Sequence, residues 1–161
     1  MATQFATTSD YDGRTTDVAA FKGWAPNKNT KVDQVLVSPG DSGQLIAGIE
    51  KLVQRFTIEL LTELGSLVYL PTRGSTFMLA ARAGFWRTGD DVRSSFAIAI
   101  ADVAENLQVE ESESDPDDER FSYAELISVS LLGADVSMSV SVTSLAGTSF
   151  TALLPLNVTT Y

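Results

Sequence analysis

The 161-residue sequence has no cysteine and no histidine. Without cysteine there is no disulfide framework, no thiol nucleophile and no thiolate metal site. Without histidine, the commonest general base, the commonest zinc ligand and every Ser-His or Cys-His triad are excluded. Any catalysis would fall to carboxylates, lysine and tyrosine, and most hydrolase mechanisms drop out. No catalytic residue, cofactor or metal site is expected.

Basic side chains are scarce in the last third. Residues 106–161 carry nine carboxylates and a single basic residue, Arg120, and the net charge of the chain is −10. Such a chain repels a phosphate backbone over a Debye length of about 8–10 Å, which excludes nucleic acid as a ligand. Long apolar runs are missing too. Stretches such as 97–101 fall far short of the ~20 residues of a membrane span. The first residues, Met1-Ala-Thr-Gln-Phe5, lack the basic start and apolar stretch of a signal peptide. The chain is expected to be soluble and made in the cytoplasm.

What is present is ordinary globular composition, 44% hydrophobic and 20% charged, enough for a real core. The length suits one domain with an arm. Residues 1–40 read as a polar N-terminal arm and lead-in, with a short strand over 31–37, and 41–161 as a single domain. Asp41 and Gln44 read as a capping-box variant opening a helix of about six turns. Leu45, Ile49, Leu52, Val53, Phe56, Leu60 and Leu64 recur at spacings of three and four and form its apolar stripe, with Gly65 as the C′ residue. Ile46, Ile58 and Leu61 widen that face. Either the helix is a core element touched on both sides, or it has a partner outside the domain.

Residues 65–71 look extended, because Pro71 disfavours a helical Leu70. A short helix is predicted over 76–83. Another, over roughly 90–106, is capped by Thr88 with Asp91. Residues 110–119 hold seven carboxylates and are expected to form a solvated loop, since like charges this dense repel. Nothing apolar lies within that run to raise a carboxyl pKa for acid catalysis, and it has no glycine for a calcium loop.

Beyond 120 the apolar period changes from 3.6 to 2. Phe121, Tyr123, Ile127, Val129 and Leu131 are placed on one face of a strand, which turns at 133–135. Val136, Met138, Val140 and Val142 alternate with serines in a second strand, and Phe150 to Val158 alternate in a third. The fold class is therefore α+β: a long amphipathic helix plus shorter helices, followed by a three-stranded antiparallel β-meander. The middle strand is paired on both sides, so the free edges are 121–131 and 150–158. The first has no proline and can accept a strand from another chain, unless the arm or the 31–37 strand covers it.

These residues also resemble a family. The stretch Gly48-Ile-Glu-Lys-Leu-Val-Gln-Arg-Phe-Thr-Ile-Glu-Leu-Leu-Thr-Glu-Leu-Gly65, then Tyr69-Leu-Pro71 and Arg73-Gly-Ser75, is similar to the baseplate wedge or sheath-initiator proteins of contractile-tailed phages, tailocins and related injection systems. Glu119-Arg120 after the acidic run, Leu145-Ala-Gly147 and Leu154-Pro155-Leu156 fit the same order. The resemblance spans roughly 42–158. One departure is Ser66-Leu67, which stands where family members often have a Glu-Arg pair, so a charged contact to a neighbouring wedge subunit does not carry over.

The resemblance implies a structural protein of the virion, in six copies around the tail tube. Its helix would join a core bundle with larger wedge subunits, with Leu45, Ile49, Leu52, Val53, Phe56 and Leu60 dividing between the protein's own core and that bundle. Its strands, through Phe121, Tyr123, Ile127, Val136, Met138, Val140 and Val142, would template the first ring of tail sheath. The partners implied are other wedge subunits, the sheath protein, and the tail tube or hub, with no nucleic acid and no membrane. Three rivals differ in class: a carboxylate-only cell-wall hydrolase of the tail, a tail or head completion protein such as a terminator, and a binding module unrelated to phage.

Overall fold

A computed structural model of the chain describes residues 15–19, 34–36 and 45–158. The elements are β1 (Asp17–Val18), β2 (Gln34–Leu36), β3 (Leu45–Ile46), α1 (Ile49–Leu61), α2 (Phe77–Arg82), α3 (Gly89–Glu110), β4 (Phe121–Leu132), β5 (Asp135–Ser144) and β6 (Ser149–Asn157). The helices come first and the antiparallel meander β4-β5-β6 follows, so the fold is α+β. From the arm, β1 pairs antiparallel with β3, and β2 adds to the sheet parallel to β6, giving the order β2-β6-β5-β4.

One face of the sheet meets the helices. Val136, Met138, Val140 and Val142 of β5 are at most 2% exposed, and Ala152 and Leu154 of β6 are fully buried. They pack with Leu52, Val53, Phe56 and Leu60 of α1 and with Val92, Ala99, Val103 and Leu107 of α3. The Phe56 ring stacks on Phe121, centroids 6.0 Å apart and nearly parallel, joining helix layer to sheet. Phe77 anchors the short α2 by packing against Trp86 at 4.6 Å and edge-on to Phe96 at 6.2 Å. The Trp86 indole N–H donates to Ser95 Oγ, so its one polar group is satisfied.

The long helix differs from its expected bounds. Leu45 belongs to β3 rather than to the helix, and Gly48 is the N-cap; Asp41 and Gln44 lie outside the described residues. The far end stops at Leu61, with Thr62 already extended. Tertiary bonds stop it there: Ser75 N–H donates to Thr62 O at 2.8 Å, and Leu64 N–H donates to Ser75 O at 3.0 Å. Leu64 is consequently exposed, and Gly65 sits in a loop instead of closing a helix. α3 runs longer than expected, to Glu110, and its Thr88–Asp91 capping box is complete. The three hydrogen bonds that Asp91 accepts from Thr88 Oγ1, Thr88 N and Arg87 N hold its carboxyl below the ordinary range.

β4 departs from strict alternation. Its register with β5 slips between Phe121 and Tyr123 and again between Leu126 and Ser128. Each slip is a bulge that adds one residue, Ser122 and then Ile127, and resets which side faces the core. Phe121 is buried, and Ala124, Leu126, Val129 and Leu131 pack against the core. Tyr123 and Ile127, expected on the same face, are instead more than half exposed.

Candidate interaction surfaces

Of the six residues expected to divide between core and bundle, Leu52, Val53, Phe56 and Leu60 of α1 fall in the chain's own core, at most 2% exposed. Ile49 is partly buried against that core, and Leu45 is half exposed. The inward set of the strands, Phe121, Val136, Met138, Val140 and Val142, is likewise internal. Those side chains face the core of the chain itself; only Tyr123 and Ile127 of the strand set are exposed. What the sheet can offer a partner is backbone.

That backbone is the outer edge of β4. Among the described residues no strand lies beyond it, whereas on the other side of the sheet the three-residue β2 pairs with Thr151, Ala152 and Leu153 of β6. The expectation of two free edges is thus corrected at β6. Beyond the second bulge, β4 pairs regularly with β5 from Ser128 to Leu132, which leaves a regular edge of the length that strand addition uses.

The acidic run is not wholly solvated as expected. Glu119 is 2% exposed. One of its oxygens accepts from the Gly48 N–H at the start of α1 (3.0 Å), and the other accepts from Lys51 Nζ (2.9 Å). A carboxylate at a helix N-terminus is favourable because the first amide N–H groups have no intrahelical acceptor. Glu119 therefore ties the end of the acidic loop to the helix layer. Glu111 accepts from Phe121 N–H at 2.7 Å, yet burial pushes its carboxyl above the ordinary range. Burial raises Glu50 likewise. Among the described residues no group of three or more Asp, Glu, His or Cys could hold a metal ion, and no helix is long and apolar enough to cross a membrane.

The surface that sequence reasoning missed is the loop between α1 and α2. Its base is pinned from several sides. Glu59, buried in α1, accepts from the Gly74 N–H at 3.0 Å, from the Arg73 guanidinium and from Asn106 Nδ2 of α3. Asn106 also donates to Gly74 O, and Ser75 Oγ donates to Leu60 O. Its tip is apolar and bare: Val68 is 86% and Tyr69 95% exposed, with Leu67 and Leu70 about half exposed. A compact loop with joined ends and its own internal bonds is an Ω-loop, a frequent carrier of function. The extended segment expected over 65–71 is instead a run of turns, with Leu70 N–H donating to Leu67 O and Arg73 N–H to Leu70 O. The signal that could have been read is four apolar residues in a row within a loop.

A second apolar surface lies between α2 and α3. It is a groove of about 450 Å³ whose walls include Leu79, Ala80, Phe85 and Ile98. Leu79, Phe85 and Ile98 are all more than 45% exposed. Compared with known proteins, the chain matches no family model, no curated protein and no solved structure.

Proposed function

We propose that the chain is a structural subunit of a contractile-tail baseplate, a wedge protein that starts the tail sheath. The observation that carries this reading is the open outer edge of β4, with regular pairing to β5 from Ser128 to Leu132. A sheath strand added there would gain backbone hydrogen bonds in fixed register, and each of six copies would present the same template. Polymerisation would then begin at the baseplate rather than anywhere along the tube. The contact to larger wedge subunits falls on what α1 leaves outside the core, Leu45 before it and Ile58 on it, since the rest of its apolar stripe is internal.

The test is nucleation of a contractile-tail sheath protein, followed by light scattering. Baseplates carrying the wild-type chain should abolish the lag. The Ser130→Lys variant sets a charge on the edge, a common guard against strand addition, and should restore the lag while folding normally. Equal nucleation by both would overturn the reading.

A further inference from the structure

The turn that ends β4 fixes which backbone groups its open edge presents. Gly133 and Ala134 join β4 to β5, and Leu132 lies directly opposite Asp135. Gly133 has φ +64° while Ala134 stays out of the positive-φ region, the pattern of a two-residue type II′ hairpin. Leu132 and Asp135 must then exchange backbone bonds with each other, because the alternative would bond Gly133 to its own neighbour. Bonded and non-bonded pairs alternate along an antiparallel ladder. Leu132, Ser130 and Ser128 therefore bond to Asp135, Ser137 and Ser139 of β5. The N–H and C=O of the residues between them, Val129 and Leu131, point the other way, to the free edge.

The two faces of that edge differ. Val129 and Leu131 pack their side chains against the core but are only partly buried. Val129 Cγ1 lies 3.4 Å from the Cβ position of Gly89, where α3 begins. Ser128, Ser130 and Glu125 are exposed on the opposite face. Residues set opposite Val129 and Leu131 would put their side chains on the core side, and their neighbours would lie over the serines. Charge narrows the occupant further. Residues 121–158 include the carboxylates Glu125 and Asp135 and no lysine or arginine.

We infer that the added strand is held by the N–H and C=O groups of Val129 and Leu131, and that it is a sheath-protein segment alternating apolar residues with small polar or basic ones. Its apolar residues cover what the core leaves exposed of Val129 and Leu131. A lysine or arginine on the serine side meets the Glu125 carboxylate, where an acid would be repelled. The occupant rests on the sheath reading; the choice of Val129 and Leu131 rests on the hairpin alone.

Amide hydrogen exchange of the isolated chain, resolved by residue with NMR, tests which groups face the edge. The Val129 and Leu131 amides should exchange about tenfold or more faster than the Ser130 amide. The reverse pattern would overturn the inference. So would protection of all three, because the chain's own residues would then cover the edge. Nucleation, with a contractile-tail sheath protein as the probe, tests the occupant. Val129→Pro removes an N–H that β5 does not use, so the chain should keep its fold, whereas Ser130→Pro breaks the ladder and should lower the urea midpoint further. Baseplates carrying Val129→Pro should nucleate about tenfold more slowly than wild type. Glu125→Lys should slow nucleation several-fold, and Glu125→Gln by less. Wild-type rates in Val129→Pro or in Glu125→Lys would overturn the inference and leave the sheath reading standing. Absence of nucleation by the wild-type chain would overturn both.

Discussion

Glu59 and Gly74 are joined across fifteen residues of chain by a hydrogen bond of 3.0 Å from the Gly74 N–H to Glu59 Oε2, and this bond closes the base of the Ω-loop. Gly74 is irreplaceable there for two reasons. Its φ is +92°, and a Cβ would lie 2.4 Å from the Thr62 carbonyl oxygen. Gly65, at φ +82°, has nothing within 4 Å of its Cβ position. Gly74→Ala should therefore cost about 2–4 kcal/mol, strain plus displaced backbone. Gly65→Ala should cost only the conformational strain, about 1–2 kcal/mol. Urea titrations of the two variants check the difference; equal losses would mean that the base of the loop yields freely.

Phe56→Ala should cost about 3–5 kcal/mol, because the ring is fully buried and its stack on Phe121 is lost. The loss belongs to the fold of the isolated chain and should appear in its denaturant midpoint without any partner present. Ile58→Ala, on the exposed side of the same helix, should fall within about 0.5 kcal/mol of wild type.

Thr57 is fully buried in α1, and its Oγ1 has no hydrogen-bond partner among the described residues. A buried hydroxyl without a partner costs about 1–3 kcal/mol. Valine has the same shape and nearly the same helix propensity. Thr57→Val should raise stability by about 1 kcal/mol, measured as a higher urea midpoint at unchanged m-value. A lower midpoint would show that the hydroxyl is satisfied.

Glu111 provides the pH test. Burial raises its folded-state pKa, so the folded chain binds its proton more tightly than the unfolded chain does. The charged form is then a net cost at neutral pH; the cost fades as pH falls through the raised folded-state value and is gone below the unfolded value of about 4.3. Its place at the C-terminal cap of α3 adds to the cost, since the negative end of the helix dipole lies there. Glu111→Gln keeps an oxygen for the Phe121 N–H. It should be more stable than wild type at pH 7 and converge with it in acid. A gain independent of pH would contradict this origin.

The sequence made some of this legible and some not. The α3 cap was readable because Thr88 and Asp91 are local partners, and the meander because β5 alternates without interruption. The start of α1 was not, because the N–H of its N-cap Gly48 is satisfied by Glu119, 71 residues away. Nor was the face of β4. Two bulges shift its parity, and nothing in the order of Ser122 and Ile127 announces them. Long-range bonds also cut α1 short at Leu61 where the apolar period runs on to Leu64. The Ω-loop tip went unread because an apolar run bounded by glycine and proline was assigned to extended structure.

The claim that this chain starts a tail sheath is tested most directly by negative-stain microscopy of particles assembled with its gene deleted. The account predicts no sheathed tails, with the sheath protein left soluble or in stray polymer, and recovery when the wild-type chain is supplied. Complete, contractile tails in the deletion would contradict it.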